Sequence, residues 1–441
     1  MGKSKILGGG ASNVVNGIIE QYYAATDDVK ANTFVEYINQ YSVTKPTEVK
    51  NLTTDSAPYS IDATMLTDNK VLVVYTVVAT NIWYVKGIVC TIENNVITPG
   101  TAAAITSNFN RKIQNVVVLT LTSTKVAIVF STDADSNAKT YAQICSISDK
   151  TITAGTYKEI TVGTGNFGNA IASKLTDSSF IIVGSSGNLY AIACTVTDMS
   201  FTVGQSVIIR SSSDSTQRYY DIDTLTNNKV IVTYAGAPQN SILYLCVKIL
   251  TVSGSTITVG TQYALGISGY SVPTRVAALS PNKAVVCCGS YLDYAVVCTI
   301  SGTVVTFGTP LHTSSADYDL RVAKLNERTV ARIVPNSGGT SVYLLKVQDS
   351  VITIQSPNTG FIVVRNPTKD LQKLKATLYK DSCFCFTCVY SSNQYPVAQL
   401  SQLLDYEGIQ ELTDSAKFLG LTQSKATKTT KGKVWVLKKG E

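Results

Sequence analysis

The chain has 441 residues, of which 44% are hydrophobic and only 15% charged. Thr, Ser, Val, Ile, Tyr and Asn recur throughout, which excludes a disordered chain and points to a β-rich fold. The net charge is +7, but much of the excess sits at Lys425, Lys428, Lys431, Lys433, Lys438 and Lys439, where a solvated tail explains it better than a phosphate-binding patch, so no nucleic-acid partner is expected.

Residues 1–10 carry two lysines and the run Gly8, Gly9 and Gly10, without the apolar stretch of a signal peptide. No segment reaches the roughly 18 apolar residues that span a membrane. Synthesis in the cytoplasm of the producing cell, with no membrane partner, is the expectation. Residues 12–40 follow. Val15, Ile18, Ile19, Tyr22 and Tyr23 fall at helical spacing, with Ser12 or Asn13 as a cap and Thr26, Asp27 and Asp28 as a second start signal. Residues 1–41 are therefore predicted to form a short helical segment for attachment or oligomerisation.

From there to about residue 410 the chain repeats itself. A leucine, a polar turn and an apolar run recur at Leu66, Leu121, Leu175, Leu225, Leu279, Leu325 and Leu378. The spacing is about 46 to 55 residues, a supersecondary period. The first five copies add a cysteine strand (Cys90, Cys145, Cys194, Cys246, Cys298), placed at the same point of each repeat. A Thr-x-Gly element then ends at Gly100, Gly155, Gly204, Gly260 and Gly308. In the first copy, residues 60–66, 70–77, 83–92 and 96–105 read as strands A to D, and the A–B and C–D turns are short and rich in Asx. Four antiparallel strands per unit, seven times over, predict an all-β, seven-bladed β-propeller over residues 42–410. Two segments compete to complete the seventh blade: residues 42–52, which resemble a strand D without A to C, and residues 408–412.

The recurring cysteines read as small buried hydrophobes. In Cys383, Cys385 and Cys388 the spacing puts two thiols on one strand face and the third on the other, with no companion at zinc-like spacing. No metal or cofactor is expected. The single histidine, His312, has no Ser or Cys partner to make it catalytic. No copy carries the Ser-x-Asp-x-Gly-x-Thr-Trp turn of sialidase propellers, so no catalytic residue is assigned. A glycoside hydrolase, which needs two convergent carboxylates, remains the less favoured alternative.

The B–C and D–A connections share one face of such a ring and are longer and more varied than the tight turns opposite. Loops on a rigid scaffold carry function. The candidate ligand-binding residues on that face are Trp83, Phe109, Asp133, Asp135, Tyr219, Tyr220, Tyr270, Tyr291, Asp293 and Tyr318: rings to stack on sugars, acids to accept hydroxyl hydrogen bonds. A glycan ligand follows, and a free lectin is the alternative setting.

Residues 411–441 end in a predicted β-hairpin, Phe418-Leu-Gly-Leu421 against Val434-Trp-Val-Leu437. This closing stretch resembles the C-terminal hairpin of tail fibre and baseplate proteins of phages infecting Gram-positive bacteria, and the glycine-rich start resembles their attachment end. The resemblance covers about a fifth of the chain. It implies a non-enzymatic component of a phage tail or tail-like particle, assembled with other tail or baseplate proteins as a homo-oligomer, a trimer, and recognising a host cell-surface glycan.

Overall fold

The computed structural model describes residues 17–22, 34–43, 50–55, 59–79, 82–94, 96–106, 109–132, 138–162, 167–211, 220–236, 243–267, 274–288, 293–313, 321–336, 339–355, 375–379, 384–390, 396–411, 418–422 and 432–437. For 17–43 and 375–437 the backbone alone is described. The chain divides into two units, Lys45–Gln402 and the paired ends Met1–Thr44 and Leu403–Glu441.

The larger unit is the repeat. Blade 1 consists of strands A (Ile61–Thr67), B (Lys70–Ala79), C (Ile82–Glu93) and D, the last in two pieces, Val96–Pro99 and Ala103–Ala104. Blades 2 to 5 repeat this A-B-C-D order with the same two-piece strand D, and in blade 6 the described part of D is Val351–Gln355. In blade 7, A is Lys375–Tyr379, B is Phe384–Tyr390 and C is the first part of Pro396–Glu411. Its outer strand comes from the other end of the chain: Lys50 and Asn51 pair with Ala398 and Val397. Residues 408–411 pair elsewhere, with residues 35–38. The innermost strands touch in sequence around the ring, and strand A of blade 7 meets strand A of blade 1. This larger unit is a β-propeller.

The apolar run of strand B is explained by its position. Val71, Leu72, Val73, Val74 and Tyr75 are all fully buried. Successive side chains of a strand point to opposite faces. Leu72 and Val74 therefore pack against Val118, Val126, Ile128 and Phe130 of blade 2, while Val71, Val73 and Tyr75 turn to the opposite face, where Leu52, next to the outer strand of blade 7, joins their cluster. The same division repeats through blades 2 to 5. Each such residue contributes about 1.5–3 kcal/mol, so both faces of the middle strand are apolar and the alternation expected of a half-exposed strand vanishes.

The turns repeat as closely. Asn94, Asp149, Asp198, Gly254, Gly302 and Asp349 open the C–D turns of blades 1 to 6, all with φ between 48° and 64°. Only Gly, Asn and Asp adopt that region cheaply, which is why Asx marks the turns in the sequence. The inner strands are tied across blades by side chains. Asp62 Oδ2 accepts the Val118 N–H (2.8 Å), while Asp221 Oδ2 and Asp223 Oδ2 accept Val276 N–H (3.0 Å) and Ala278 N–H (2.7 Å). Edge amides that would otherwise lack a sheet partner are thereby satisfied.

The smaller unit corrects the reading of the N-terminus. Residues predicted as helix form strands Gly17–Tyr22 and Phe34–Val43. The first pairs with Gly432–Leu437, and the second with both Leu403–Glu411 and Phe418–Thr422. Ile18, Ile19, Val35, Tyr37, Tyr41 and Val43 are β-branched or aromatic and favour a strand once a partner is available. Those partners lie at the other end of the chain, beyond any local window. The predicted C-terminal hairpin forms, with Gly420, Leu421 and Thr422 opposite Val436, Trp435 and Val434.

Candidate functional site

The loop-bearing edge of blades 1 and 2 holds a continuous series of aromatic rings. It starts at Tyr59, whose amide donates to Thr76 O (3.2 Å) just before strand A of blade 1. The Tyr59 ring meets Trp83 edge to face, with centroids 5.8 Å apart, and Lys112 Nζ sits 3.9 Å over its centroid. Trp83 opens the regular part of strand C, and its backbone exchanges two hydrogen bonds with Phe109 (2.8 and 3.0 Å), which pins the D–A connection to blade 1. The Phe109 ring then reaches into blade 2. It lies 5.2 Å from Phe130, 5.2 Å from Tyr141 and 5.3 Å from Tyr157. Phe130 and Tyr141 stack at 20°, and Tyr141 meets Tyr157 edge to face at 5.7 Å.

Only part of this series faces water. Phe109 and Phe130 are buried, Tyr59, Trp83 and Tyr141 are half-buried, and Tyr157 is 38% exposed. The rim is charged: Lys139 Nζ binds Glu159 Oε2 at 2.9 Å, and Arg111 is exposed. Burial, then the nearby Glu159 carboxylate, pushes the Tyr141 phenol up, so it stays a neutral donor at any physiological pH. Buried rings form the floor, half-exposed rings the wall, and paired charges and hydroxyls the edge. Such a surface takes a flat, partly apolar ligand that also carries hydroxyls.

Among the residues expected from sequence, Trp83 and Phe109 are brought together, but Phe109 is buried floor and has no face left for a ligand. Tyr220 is likewise corrected. It is 5% exposed within the core between blades 3 and 4, its hydroxyl donates to Asn169 O at 2.5 Å, and burial raises its phenol. Asp293 begins strand C of blade 5, opposite Thr313, and its side chain lies outside the described residues. So do Asp133, Asp135, Tyr219, Tyr270, Tyr291 and Tyr318.

Sequence reasoning missed Tyr59, Tyr141 and Tyr157. A signal existed for one of them. Tyr141, Tyr190 and Tyr294 each stand four residues before a repeat cysteine and pair with equivalent points of strand B, at Phe130, Gly184 and Cys288. The cysteines themselves are buried and unpaired. Burial raises the thiols of Cys90, Cys145, Cys194 and Cys298 to about 12. Cys246 breaks the alignment: Leu250 faces Val230 where the other repeats have cysteine, and Cys246 lies four residues earlier, facing Tyr234. His312 packs on Tyr294 with ring centroids 4.1 Å apart. Cys383 lies outside the described residues, and no group of potential metal ligands occurs among the described ones.

Solved structures similar to this chain include a propeller domain, a protein of unknown function and a lectin. The β-propeller domain of the Trilobed protease from Pyrococcus furiosus matches at 10% identity, over 83% of this chain and 98% of that one, with a TM-score of 0.42. A functionally unknown protein from Desulfotomaculum acetoxidans matches at 11% over 74% and 95%, with a TM-score of 0.46. The fucose-specific lectin from Aleuria aurantia matches at 10% over 69% and 96%, with a TM-score of 0.37. No protein-family model and no curated protein matches the sequence. These likenesses concern the fold. The chemistry of the aromatic edge has to be argued from its own residues.

Proposed function

We propose that this protein is a non-enzymatic binding protein whose propeller takes a carbohydrate on the aromatic edge of blades 1 and 2. The observation that carries the proposal is the ring series from Tyr59 through Trp83 to Tyr157, built across two blades on a rigid β scaffold, half-buried at Tyr59 and exposed at Tyr157. Sugar C–H faces stack on such rings through dispersion and apolar burial, while flanking donors and acceptors orient the hydroxyls. Carboxylates deeper in the ring support a binding role over hydrolysis, because Asp62, Asp221 and Asp223 each accept a backbone amide of the neighbouring blade. We extend the reading to a tail-type particle component on the strength of the C-terminal hairpin and its resemblance, with other particle proteins as partners and a homotrimer as the assembly. A glycan array probed with the full chain tests the binding role: a restricted set of glycans is expected, and an empty array would sink it. Light scattering tests the assembly, for which a monodisperse monomer is the contrary result.

A further inference from the structure

We propose that the innermost strands of blades 5 and 6 bind a small oxyanion, a carboxylate or phosphate group, between the guanidinium of Arg275 and the backbone N–H of Val322.

Strand A of each blade carries a residue four places before the repeat leucine. In blade 1 it is Asp62, whose Oδ2 accepts Val118 N–H of blade 2 over 2.8 Å, and in blade 4 it is Asp221, whose Oδ2 accepts Val276 N–H of blade 5 over 3.0 Å. Both amides belong to the residue three places before the next repeat leucine. Blade 5 has Arg275 where blades 1 and 4 have aspartate. The next amide in the series is that of Val322. It stands opposite Arg332 of strand B, as Val118 stands opposite Ile128 and Val276 opposite Val286. The register is the same, so the Val322 N–H takes the same direction, away from its own sheet. Arginine carries donors and no acceptor. Arg275 therefore cannot do for Val322 what Asp221 does for Val276, and its Nη1 donates to Thr274 O instead, over 2.8 Å.

The surroundings change with the residue. Val118 and Val276, whose amides an aspartate accepts, are 4% and 5% exposed, whereas Arg321, Val322 and Ala323 are all partly exposed, as is Arg275. Charge is distributed as unevenly. Strands A and B of blades 5 and 6 hold Arg275, Lys283, Arg321, Lys324 and Arg332 without one carboxylate, while strand A of blade 4 holds Asp221 and Asp223. Blades 2 and 3 have Val117 and Ile171 at the aspartate position, which offer an anion no charge. Only between blades 5 and 6, among the described residues, does an outward amide face a cation across adjoining inner strands. An oxyanion there accepts the Val322 N–H, as the Asp221 carboxylate accepts that of Val276, and pairs with Arg275 through charge-assisted hydrogen bonds. The place it fills is that of one aspartate carboxylate, so the ligand is small. These strands take no part in the aromatic edge of blades 1 and 2, and the site is independent of the carbohydrate proposed there.

Thermal unfolding of the full chain tests this, with sodium phosphate as the probe in one arm, sodium acetate in the other, and ionic strength held constant with chloride. At least one probe should raise the midpoint saturably, as a ligand of the native state does, and which one does so separates a phosphate from a carboxylate source. Arg275→Gln should raise the half-saturating concentration by about tenfold or more. Arg275→Asp, which restores the side chain found at Asp62 and Asp221, should abolish the response while keeping the parental circular dichroism. Hydrogen exchange on the parent needs no variant: a saturating probe should slow exchange in Arg321–Asn326 and leave Ile113–Thr122 unchanged. No midpoint shift with either probe, a shift that either Arg275 variant retains in full, or protection spread evenly over strand A of every blade would each overturn the proposal.

Discussion

Gly204→Ala tests the close approach of one blade's C–D turn to the strand D of the blade before it. A Cβ there would lie 2.6 Å from Ser255 O and 2.8 Å from Ala193 O. Both are backbone oxygens and cannot swing aside, whereas a comfortable C···O contact is about 3.3 Å or longer. The variant must push the blade 4 turn away by about 0.7 Å or give up the 2.8 Å hydrogen bond from Gly204 N–H to Ala193 O. Overpacking of this kind costs about 1–3 kcal/mol and a lost hydrogen bond about 1 kcal/mol. The stiffer unfolded chain returns about 0.4–1 kcal/mol. The net expectation is destabilisation by about 0.5–2.5 kcal/mol. Gly254 supplies the contrast. It has φ +59° and nothing within 4 Å of an added Cβ, and Asn94, Asp149, Asp198 and Asp349 hold the equivalent turn position in other blades. Gly254→Asn should therefore stay within about 0.5 kcal/mol of the parent. Urea unfolding followed by circular dichroism reads both. A Gly204→Ala midpoint equal to the parent's, or one matched by Gly254→Asn, would refute the reasoning.

Three further outcomes follow from the charged and thiol groups. Burial raises the Asp223 carboxyl from 3.8 to about 6, with Asp221 adding to the rise, although amides of Ala278 and Thr224 and the Lys324 ammonium oppose it. The folded state then binds more protons than the unfolded one between about pH 4 and 6, so stability falls as pH rises through that window and levels off above it. Asp223→Asn should remove that slope and gain about 1–2 kcal/mol at pH 8 but nothing at pH 4, allowing for the residue's remaining solvent contact; an unchanged slope in pH-dependent urea midpoints would contradict it. For Asp55, burial alone would raise the carboxyl, but hydrogen bonds from Lys86 Nζ (2.8 Å) and Tyr75 OH (2.6 Å) outweigh it and hold the group below its usual value. Asp55→Asn should cost about 1 kcal/mol at pH 7, and the difference should vanish as pH falls below the ordinary carboxylate range; thermal melts across pH check it. Peptides carrying Cys90, Cys145, Cys194 and Cys298 should resist iodoacetamide in the native protein and react once it is unfolded, as mass spectrometry will show.

The sequence made the repeat legible because blade geometry acts locally. Hairpin turns demand Gly or Asx at φ > 0, and a strand buried on both faces demands an unbroken apolar run, so Asp149 or Val71–Tyr75 announce themselves without a partner in view. What depended on distant pairing was not legible. Ile18, Ile19 and Tyr22 satisfy a helical spacing as well as a strand, and only Val436 and Trp435, at the other end of the chain, decide between them. The site was half visible. Trp83 was found as an aromatic at a loop edge, but whether a loop ring faces water or the next blade depends on the inter-blade gap, which turns Phe109 and Tyr220 inward. Tyr141 and Tyr157 escaped because they belong to strand C and the break in strand D, where aromatics usually pack. The repeat cysteines aligned well except at Cys246, where an extended strand C hid a four-residue offset.

Calorimetric titration of the full chain with a glycan selected on the array tests the central claim most directly, comparing the parent with Trp83→Ala, Tyr157→Ala and the distant surface variant Val304→Ser. Each aromatic variant should lose at least roughly tenfold in affinity, with unchanged circular dichroism and parental affinity for Val304→Ser. Parental affinity in Trp83→Ala and Tyr157→Ala would contradict it.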